Sequence, residues 1–486
     1  MNDQRHQQLI AILKKRFGFT CFREGQETVL DELLDHHNVL AVLPTGSGKS
    51  LIYQMYGYLQ KNLIIIVSPL LSLMQDQVSR MQYLGIKRAV ALNSLLNYRQ
   101  KSFVMHHLSS YHYLYVSPEM LANDELIQRL QQLSIGLFVI DEVHCISQWG
   151  PDFRPEYLNL KRVLSQLGNP LTLMLTATAT QAVQHDILHK LGLDPRLVKR
   201  VDYSVDRPNI FLAVKQVDNQ KDKDQQLVNL INHLKLPGVV YLSSKKQANQ
   251  LADYLQKNCN LRVEAYHSGL DQESRYKIQH QFMNNQIDVI CATSAFGMGI
   301  NKDNIRFVIH YHLPADLGEY TQEIGRAGRD GKQSIAIILY QDHDEDLPYT
   351  LAVGEIPNRA MIEEFYRNPH QLMKYRRNVL QIGVLSYYFE HHFSPPQTLS
   401  IFTKRRREKS LQLKIMVKYV YCKTCRRQYL LHHFGQKFNG HNQKCCDFKN
   451  ALNLKSLGLY VNHHSKRSLI TFDWQPILDQ LFNVKK

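Results

Sequence analysis

Hydrophobic residues up to about position 340 occur in short runs that alternate with longer amphipathic stretches. Five runs in the first half have the length of buried strands: Val39–Leu43, Leu63–Val67, Tyr113–Val116, Leu137–Ile140 and Leu171–Leu175. Each run is followed by enough chain for a helix, and this alternation is typical of parallel sheets with helical crossovers. The pattern therefore predicts an α/β domain.

The same alternation begins again in the second half of the chain. Its runs are Gly238–Leu242, Val263–Tyr266, Asp288–Ala292, Phe307–His310 and Ser334–Tyr340. Between the halves lies a polar stretch, residues 200–228, which contains Arg207-Pro208-Asn209 and which we interpret as the connection between two similar domains. The predicted fold class is α/β with two tandem parallel-sheet domains.

The pattern changes after about residue 350, where the chain becomes helical in character and strongly basic, with a run of four cations at Lys404–Arg407. The predicted boundaries are 1–205 for the first domain, 206–350 for the second, 351–450 for a helical subdomain with a cysteine cluster, and 451–486 for a short C-terminal extension. Lys404–Arg407, with Arg426 and Arg427, is a candidate contact for a duplex backbone, although charge runs are more often solvated faces.

Charge indicates the kind of partner. The 486 residues carry 59 lysines and arginines against 43 aspartates and glutamates, a formal net charge of +16. Such an excess favours a polyanion, with nucleic acid first and an anionic membrane surface second. No segment approaches the roughly 20 apolar residues of a membrane helix. The N-terminus lacks a basic segment followed by an apolar one, so we predict a cytoplasmic protein without a membrane partner.

A glycine-containing loop between a predicted strand and a predicted helix has the composition of a phosphate-binding loop. Its segment is Leu43-Pro44-Thr45-Gly46-Ser47-Gly48-Lys49-Ser50, with Leu43 where the general pattern has glycine. Glycines permit backbone geometry that directs N–H groups at phosphate oxygens, and the following helix N-terminus adds its dipole. Lys49 is suited to the β and γ phosphates of ATP, and Ser50 to Mg²⁺. The alternative is a glycine-rich turn with an incidental lysine.

Two further polar segments complete a nucleotide site. Asp141 and Glu142 directly follow the run Leu137–Ile140, which places them at the edge of the sheet where ligands of open α/β sheets bind. Asp141 is suited to Mg²⁺, and Glu142 to the attacking water. In the second half, Arg326 and Arg329 lie three residues apart, and an arginine delivered by a second domain stabilises a transferring phosphoryl group. Otherwise these groups are ordinary exposed charges.

Taken together, these motifs resemble superfamily 2 helicases, and the RecQ family in particular, over roughly residues 5–450. The resemblance implies two RecA-like domains with ATP between them, followed by a small zinc-binding subdomain. Phe17–Gln26 resembles the adenine-recognition motif, with Arg23 beside the nucleotide and Gln26 reading the base edge. Ser68–Gln77, which includes Ser72 and Gln75, resembles a motif that contacts single-stranded DNA. By the same likeness Arg329 is the arginine that reaches the γ-phosphate, with Arg326 and Gln322 beside it.

Two further segments resemble family motifs that join DNA binding to hydrolysis. Thr176–Ala179 resembles the motif that couples the two sites, and residues 147–155 resemble an aromatic-rich loop whose DNA-facing residues are Trp149, Phe153 and Arg154. Where the family places histidine in this loop, the chain has Pro151, which supplies no hydrogen-bonding side chain. Trp149 and Phe153 are nonetheless suited to stacking on bases.

Four of the eight cysteines cluster near the C-terminus: Cys422, Cys425, Cys445 and Cys446. A C-x-x-C pair with two later thiols is suited to a closed tetrahedral Zn²⁺ site. The resembled family has a zinc module here, but Gln443 and Lys449 stand where it has cysteines. Three interpretations are open: the four cysteines hold zinc, a histidine (His432, His433 or His441) replaces one sulfur, or the metal is lost.

The sequence thus predicts an ATP-dependent DNA helicase that uses Mg²⁺ and Zn²⁺, binds single-stranded and duplex DNA, and by resemblance moves 3′→5′ in DNA repair or recombination. The alternative is a DNA-stimulated ATPase that remodels or anneals nucleic acid without efficient unwinding, because residues 451–486 are too few for the winged-helix and HRDC domains of the family. A binding module with an inactive ATP site is disfavoured, because each catalytic position carries a competent side chain.

Overall fold

The computed structural model describes residues 3–69, 71–148, 155–297, 302–376, 378–449 and 451–463. The first domain contains a seven-stranded sheet in the order β3-β4-β2-β5-β6-β1-β7, in which every neighbouring pair is parallel. Its strands are β1 (Asn38–Val42), β2 (Leu63–Val67), β3 (Ala89–Leu92), β4 (Tyr113–Val116), β5 (Ile135–Ile140), β6 (Thr172–Thr176) and β7 (Val198–Asp202).

Helices cover both faces of this sheet. They are α1 (Asp3–Ile12), α2 (Gln26–Leu34), α3 (Lys49–Leu59), α4 (Leu71–Tyr83), α5 (Tyr98–His106), α6 (Asp124–Gln131), α7 (Cys145–Gln148), α8 (Leu160–Gln166) and α9 (Gln181–Leu191). Short turns of other helix types lie at Leu13–Phe17, Leu108–Ser110, Met120–Ala122 and Pro155–Asn159. Alternate residues of β2 enter different cores, since Ile65 packs on one face and Ile66 on the other. Burial on both faces explains why the strands read as continuous apolar runs.

The second domain repeats this architecture with six parallel strands in the order β10-β11-β9-β12-β13-β8. The strands are β8 (Ile210–Val217), β9 (Gly238–Tyr241), β10 (Val263–Tyr266), β11 (Val289–Ala292), β12 (Phe307–His310) and β13 (Ser334–Gln341). The helices are α10 (Gln220–His233), α11 (Lys245–Cys259), α12 (Gln272–Met283) and α13 (Leu317–Ile324). The predicted α/β class with two parallel-sheet domains is confirmed.

The polar stretch at 200–228 is not a simple connection. It contains the end of β7, all of β8 and the start of α10, so that only residues 203–209 run between the two sheets. Both strands are edge strands, and β7 exposes Lys199 and Arg200 between buried valines. Because an edge strand needs fewer apolar residues than a central one, β7 carried too weak a hydrophobic pattern to be predicted. The strand β8 begins with a clear apolar run, Ile210–Val214, and was missed because the whole segment was interpreted as a polar connection.

A helical region follows: α14 (Asp346–Gly354), α15 (Arg359–Arg367), α16 (Pro369–Leu372), a turn at Met373–Tyr375, α17 (Leu380–Glu390), α18 (Pro395–Val420) and α19 (Arg426–His433). Its own small core includes Phe365, Leu385, Tyr388 and Phe402. The cysteine-bearing chain after α19 joins the edge of the second sheet, because Asp447 N–H donates to Leu212 O at 3.0 Å.

Residues 451–463 return to the second domain. Leu457 and Leu459 are buried in its core, and Val461 N–H donates to His233 O at 2.9 Å. The rest of the predicted C-terminal extension, 464–486, lies outside the described residues. Among the helices of the described part, none combines the length and the apolar character that crossing a bilayer would need.

Candidate nucleotide site and cysteine cluster

The phosphate-binding loop connects the end of β1 to the start of α3 at Lys49. Gly46 and Gly48 have φ angles of +87° and +75°, which L side chains rarely adopt. A Cβ at Gly48 would lie 2.7 Å from Gln26 Nε2, and one at Gly46 would lie 3.2 Å from the Arg329 side chain. Both glycines are therefore needed for backbone conformation and for close approach.

Gln26 and Arg23 hold the carbonyl groups of this loop. Gln26 Nε2 donates to Ser47 O at 2.7 Å and to Gly48 O at 3.0 Å, while its Oε1 accepts from the Arg23 N–H at 2.8 Å. The Arg23 guanidinium donates to Gly46 O. The amide of Gln26 is committed to the loop, so reading a base edge requires it to exchange these partners.

The acidic pair lies at the end of β5, between β2 and β6. Asp141 N–H donates to Val67 O at 2.9 Å, and Glu142 has a φ of 50° that places it in the left-handed region. Glu142 Oε2 lies 3.3 Å from His144 Nδ1, which itself lies 2.9 Å from Thr176 Oγ1. Burial lowers the pKa of His144 to about 4, so its imidazole is neutral and lies beside the Glu142 carboxylate without adding charge.

The second domain contributes the end of α13 and the loop that follows it. Arg326 is buried and donates to Gly297 O, while Arg329 packs on Gly46. Gln322 Nε2 donates to Thr178 Oγ1 at 3.2 Å across the domain boundary. The structure thus brings together both predicted halves of the site. A cleft of about 410 Å³ is lined by Arg23, Gln26, Thr45, Gly46, Gly48, Lys49, Ser50, Asp141, Glu142, Gln322, Arg326 and Arg329.

Cations crowd this cleft. Burial lowers the pKa of Lys49, an effect that Glu142 and Asp141 oppose. Burial lowers the pKa of Arg329 to about 9, and the positive charges of Arg326 and Arg207 add to the shift. An anionic ligand placed among these groups relieves their repulsion, which is the electrostatic condition for binding a triphosphate.

The predicted DNA-contacting residues are described only in part. Gln75 is exposed on α4, as expected of a residue available to a ligand, and the backbone of Ser72 lies on the same helix. The adjacent Asp76 accepts a hydrogen bond from Gln279 of the second domain. Trp149, Pro151, Phe153 and Arg154 lie outside the described residues.

Three of the four clustered cysteines come together with a histidine. Ligand atoms of Cys425, His441, Cys445 and Cys446 all lie within 4.8 Å of one another. Cys425 Sγ is 3.4 Å from Cys445 Sγ, 3.5 Å from Cys446 Sγ and 3.4 Å from His441 Nδ1. Ligands about 2.3 Å from a tetrahedral ion are separated by roughly 3.8 Å, so this donor set fits one Zn²⁺.

Cys422 is not brought into this group. Its Sγ lies 3.5 Å from Thr424 O and 3.7 Å from Arg426 Nη1. His432 and His433, the other histidines considered, lie at the end of α19 and are likewise outside the group in the described part of the chain.

Arg426 and Arg427 do not form a duplex-binding face. Arg427 is buried and donates to Asp206 and, at 2.5 Å, to Ile210 O, while Arg426 pairs with Asp447 at 2.5 Å. Each arginine is thus committed to joining the cysteine-bearing chain to its surroundings. Lys404 and Arg407 remain exposed on α18.

Sequence reasoning gave no chemical role to Arg207 or His144. Arg207 was placed in the connection, yet it donates to Thr45 O of the phosphate loop at 3.3 Å. His144 lies two residues after Glu142, and its nearness in sequence to two carboxylates was the available signal.

Known helicase families match most of this chain. Three family models match: DEAD/DEAH box helicase at residues 23–186, helicase conserved C-terminal domain at 222–331, and RecQ zinc-binding at 385–449. The probable ATP-dependent DNA helicase RecS of Bacillus subtilis is 38% identical over 485 residues, covering 96% of this chain and 97% of RecS. The chain belongs to the RecQ family of ATP-dependent DNA helicases. The family and the enzyme class predicted from sequence are confirmed.

Other members of the RecQ family are longer. The ATP-dependent DNA helicase RecQ of Haemophilus influenzae is 36% identical, and the match covers 79% of this chain but 62% of that protein. Among solved structures, the helicase MrfA bound to DNA has a TM-score of 0.59 at 18% identity, covering 71% of this chain and 52% of MrfA. Saccharomyces cerevisiae Dbp5 bound to RNA and ADP BeF3 has a TM-score of 0.57 at 20% identity, and the match covers 71% of this chain and 90% of Dbp5. These two likenesses support the fold.

Proposed function

We propose that this protein couples ATP hydrolysis between its two domains to 3′→5′ movement on single-stranded DNA and to unwinding of duplex DNA, in repair or recombination in the cytoplasm. The observation that carries the proposal is the shared cleft. In it, Lys49 and the acidic pair of the first domain face Arg326 and Arg329 of the second. A site completed by two domains makes hydrolysis depend on their approach, which is the requirement for a motor.

Each residue has a role that follows from its position. Lys49 and the backbone amides of the loop bind the β and γ phosphates. Ser50 and Asp141 would hold Mg²⁺, which would supply positive charge beside the phosphates. Glu142, which lies beside neutral His144, orients the attacking water and accepts its proton. Arg329 reaches the γ-phosphate from the second domain.

The cysteine cluster holds one structural Zn²⁺ through Cys425, His441, Cys445 and Cys446. Three thiols and an imidazole form a closed set of four ligands, and such sites contribute to folding directly. Arg427 Nε lies 3.3 Å from Cys445 Sγ, and a charge-assisted contact of this kind favours the thiolate.

The test is unwinding of a duplex with a 3′ single-stranded tail, with ATP and Mg²⁺, followed together with ATP hydrolysis in the same tubes. The parent is expected to hydrolyse ATP and to separate the strands, whereas Lys49→Ala is expected to do neither. A duplex with a 5′ tail checks polarity, since equal unwinding of both would contradict 3′→5′ movement. DNA-stimulated hydrolysis without separation would favour the remodelling or annealing ATPase instead.

A further inference from the structure

Arg207, in the short connection between the sheets, binds backbone carbonyl groups of both domains. Its guanidinium donates to Thr45 O at 3.3 Å, Gly325 O at 2.9 Å, Ala327 O at 3.0 Å and Gly328 O at 2.7 Å. The first carbonyl belongs to the phosphate loop, and the other three belong to the loop that carries Arg326 and Arg329. One side chain thus bridges the two halves of the nucleotide site.

Asn209 holds the same loop from its other end. Its Nδ2 donates to Gly328 O at 2.8 Å and to Lys332 O at 2.9 Å. Gly328 has a φ of +56°, and a Cβ there would lie 2.5 Å from Asn209 Nδ2. Arg207 and Asn209 therefore contact the loop from Gly325 to Lys332 at both of its ends. Arg326 and Arg329 lie between these contacts.

The chemistry of the contact requires a guanidinium. Gly325 follows the last residue of α13, where carbonyl groups carry partial negative charge and lack helical partners. A planar fork with five N–H donors reaches several such carbonyls at once, whereas an ammonium on a flexible stem cannot hold the same arrangement. Burial and the positive charge of Arg23 lower the pKa of Arg207. The carbonyl contacts offset the cost of holding this buried guanidinium close to other positive charges.

A residue of α19, Arg427, holds the backbone of Arg207. Its carbonyl accepts from Arg427 Nη1 at 3.0 Å, and the neighbouring Asp206 pairs with the same guanidinium. Because Arg427 also contacts Cys445, it links the chain between the two sheets to the cysteine cluster. Because these contacts hold the Arg207 backbone in place, its side chain can fix the position of the loop.

We propose that Arg207 is a positioning residue for ATP hydrolysis, which sets Arg329 and Arg326 against the phosphate loop and so joins domain approach to turnover. The inference rests on the proposed function, since it presupposes that the cleft hydrolyses ATP. Arg207 acts through the loop, so its loss is expected to slow the chemical step and to leave nucleotide binding largely intact.

The test compares Arg207→Lys with the parent in steady-state ATP hydrolysis with saturating single-stranded DNA. A small misplacement of catalytic groups costs up to about 100-fold, so we expect kcat to fall about 30-fold while KM for ATP changes less than about threefold. Arg129→Lys, on the distant helix α6 where Arg129 pairs with Glu125, is the matched control and should behave as the parent. Thermal unfolding checks folding, and Arg207→Gln replaces the lysine variant if that variant does not fold.

A double-mutant cycle separates positioning from general damage. If Arg207 acts through Arg329 and Arg326, adding Arg207→Lys to Arg329→Ala should lower kcat by much less than about 30-fold, because one of the two groups being positioned is already gone. The inference would be overturned if the loss of kcat in the double variant equalled the product of the two single losses, or if Arg207→Lys kept the kcat of the parent. Neither result would contradict the proposed function. A parent that hydrolyses no ATP would overturn the proposed function as well.

Discussion

Gln322 of the second domain donates a hydrogen bond from Nε2 to Oγ1 of Thr178 in the first domain, at 3.2 Å. Thr178 N–H donates in turn to Thr176 Oγ1 at 3.3 Å, and that hydroxyl lies 2.9 Å from His144 Nδ1. His144 is the neighbour of Glu142. Polar contacts therefore extend from the helix that precedes Arg326 and Arg329 to the histidine beside Glu142.

Thr178→Val removes the hydroxyl at this boundary and keeps the shape of the side chain. We expect DNA-stimulated ATP turnover to fall about tenfold with unchanged nucleotide affinity, because the contact aligns groups without touching ATP. Thr172→Val, in β6, is the control, since the Thr172 hydroxyl donates only to Pro170 O among the contacts described. Undiminished turnover in Thr178→Val would show that this contact does not couple the domains.

Zinc content distinguishes the ligand set in the structure from the set of four cysteines. Protein purified without added zinc should contain about one equivalent, and Cys446→Ser should contain far less, because three ligands rarely retain a structural ion. Cys422→Ser should keep its metal, since Cys422 lies outside the group of ligand atoms. His441→Ala should lose most of the zinc, and His441→Cys should retain it.

Two results would contradict this assignment. Loss of zinc from Cys422→Ser, with retention in His441→Ala, would restore the set of four cysteines. A parent with far less than one equivalent would show that the cluster is not a zinc site.

The central strands were predictable because burial on both faces of a parallel sheet produces uninterrupted apolar runs, as in Leu63–Val67. The edge strands β3 and β7 were missed, because they are short or carry exposed polar residues. In β7, Lys199 and Arg200 face solvent, and nothing in that local pattern distinguishes a strand from a linker.

The nucleotide site was predictable for a different reason. Lys49 and Asp141 belong to short motifs in which spacing, strand and helix together imply the chemistry. Arg207 and His441 belong to no such motif, since each acquires its partners only when distant segments fold together. Arg207 meets Gly328 across 121 positions, and such a contact leaves no local signal in a single sequence. His441 was one of three candidate histidines, and only the fold of the chain after α19 selects it by bringing it to Cys425.

Tyr320 and Tyr419 join α13 to α18 through their hydroxyl groups, which lie 3.2 Å apart in a fully buried setting. Tyr419→Phe should lower the free energy of unfolding by about 1–3 kcal/mol, since it leaves the Tyr320 hydroxyl buried without this partner. The double variant Tyr320→Phe/Tyr419→Phe should be less destabilised than the sum of the single variants. Simple additivity in denaturant unfolding would mean that the two hydroxyls do not interact.

Glu323 provides a prediction about pH. Burial raises its pKa from an ordinary value of 4.5 to about 8, with Asp316 adding to the shift and Arg326 opposing it. Its Oε2 lies 2.8 Å from Nε2 of His310, whose pKa burial lowers to about 3. Both groups are therefore neutral at moderate pH, and a hydrogen bond joins them.

A raised carboxyl pKa means that the folded protein keeps a proton which the unfolded chain has released. The stabilisation from Glu323 is therefore complete below about pH 4.5 and is lost as pH rises through about 8. Glu323→Gln cannot ionise, so its stability relative to the parent should increase between pH 5.5 and 8, by about 3 kcal/mol. Denaturant unfolding at both pH values measures this, with exposed Glu273→Gln as the control. A difference independent of pH would show that Glu323 is ionised in the folded protein throughout this range.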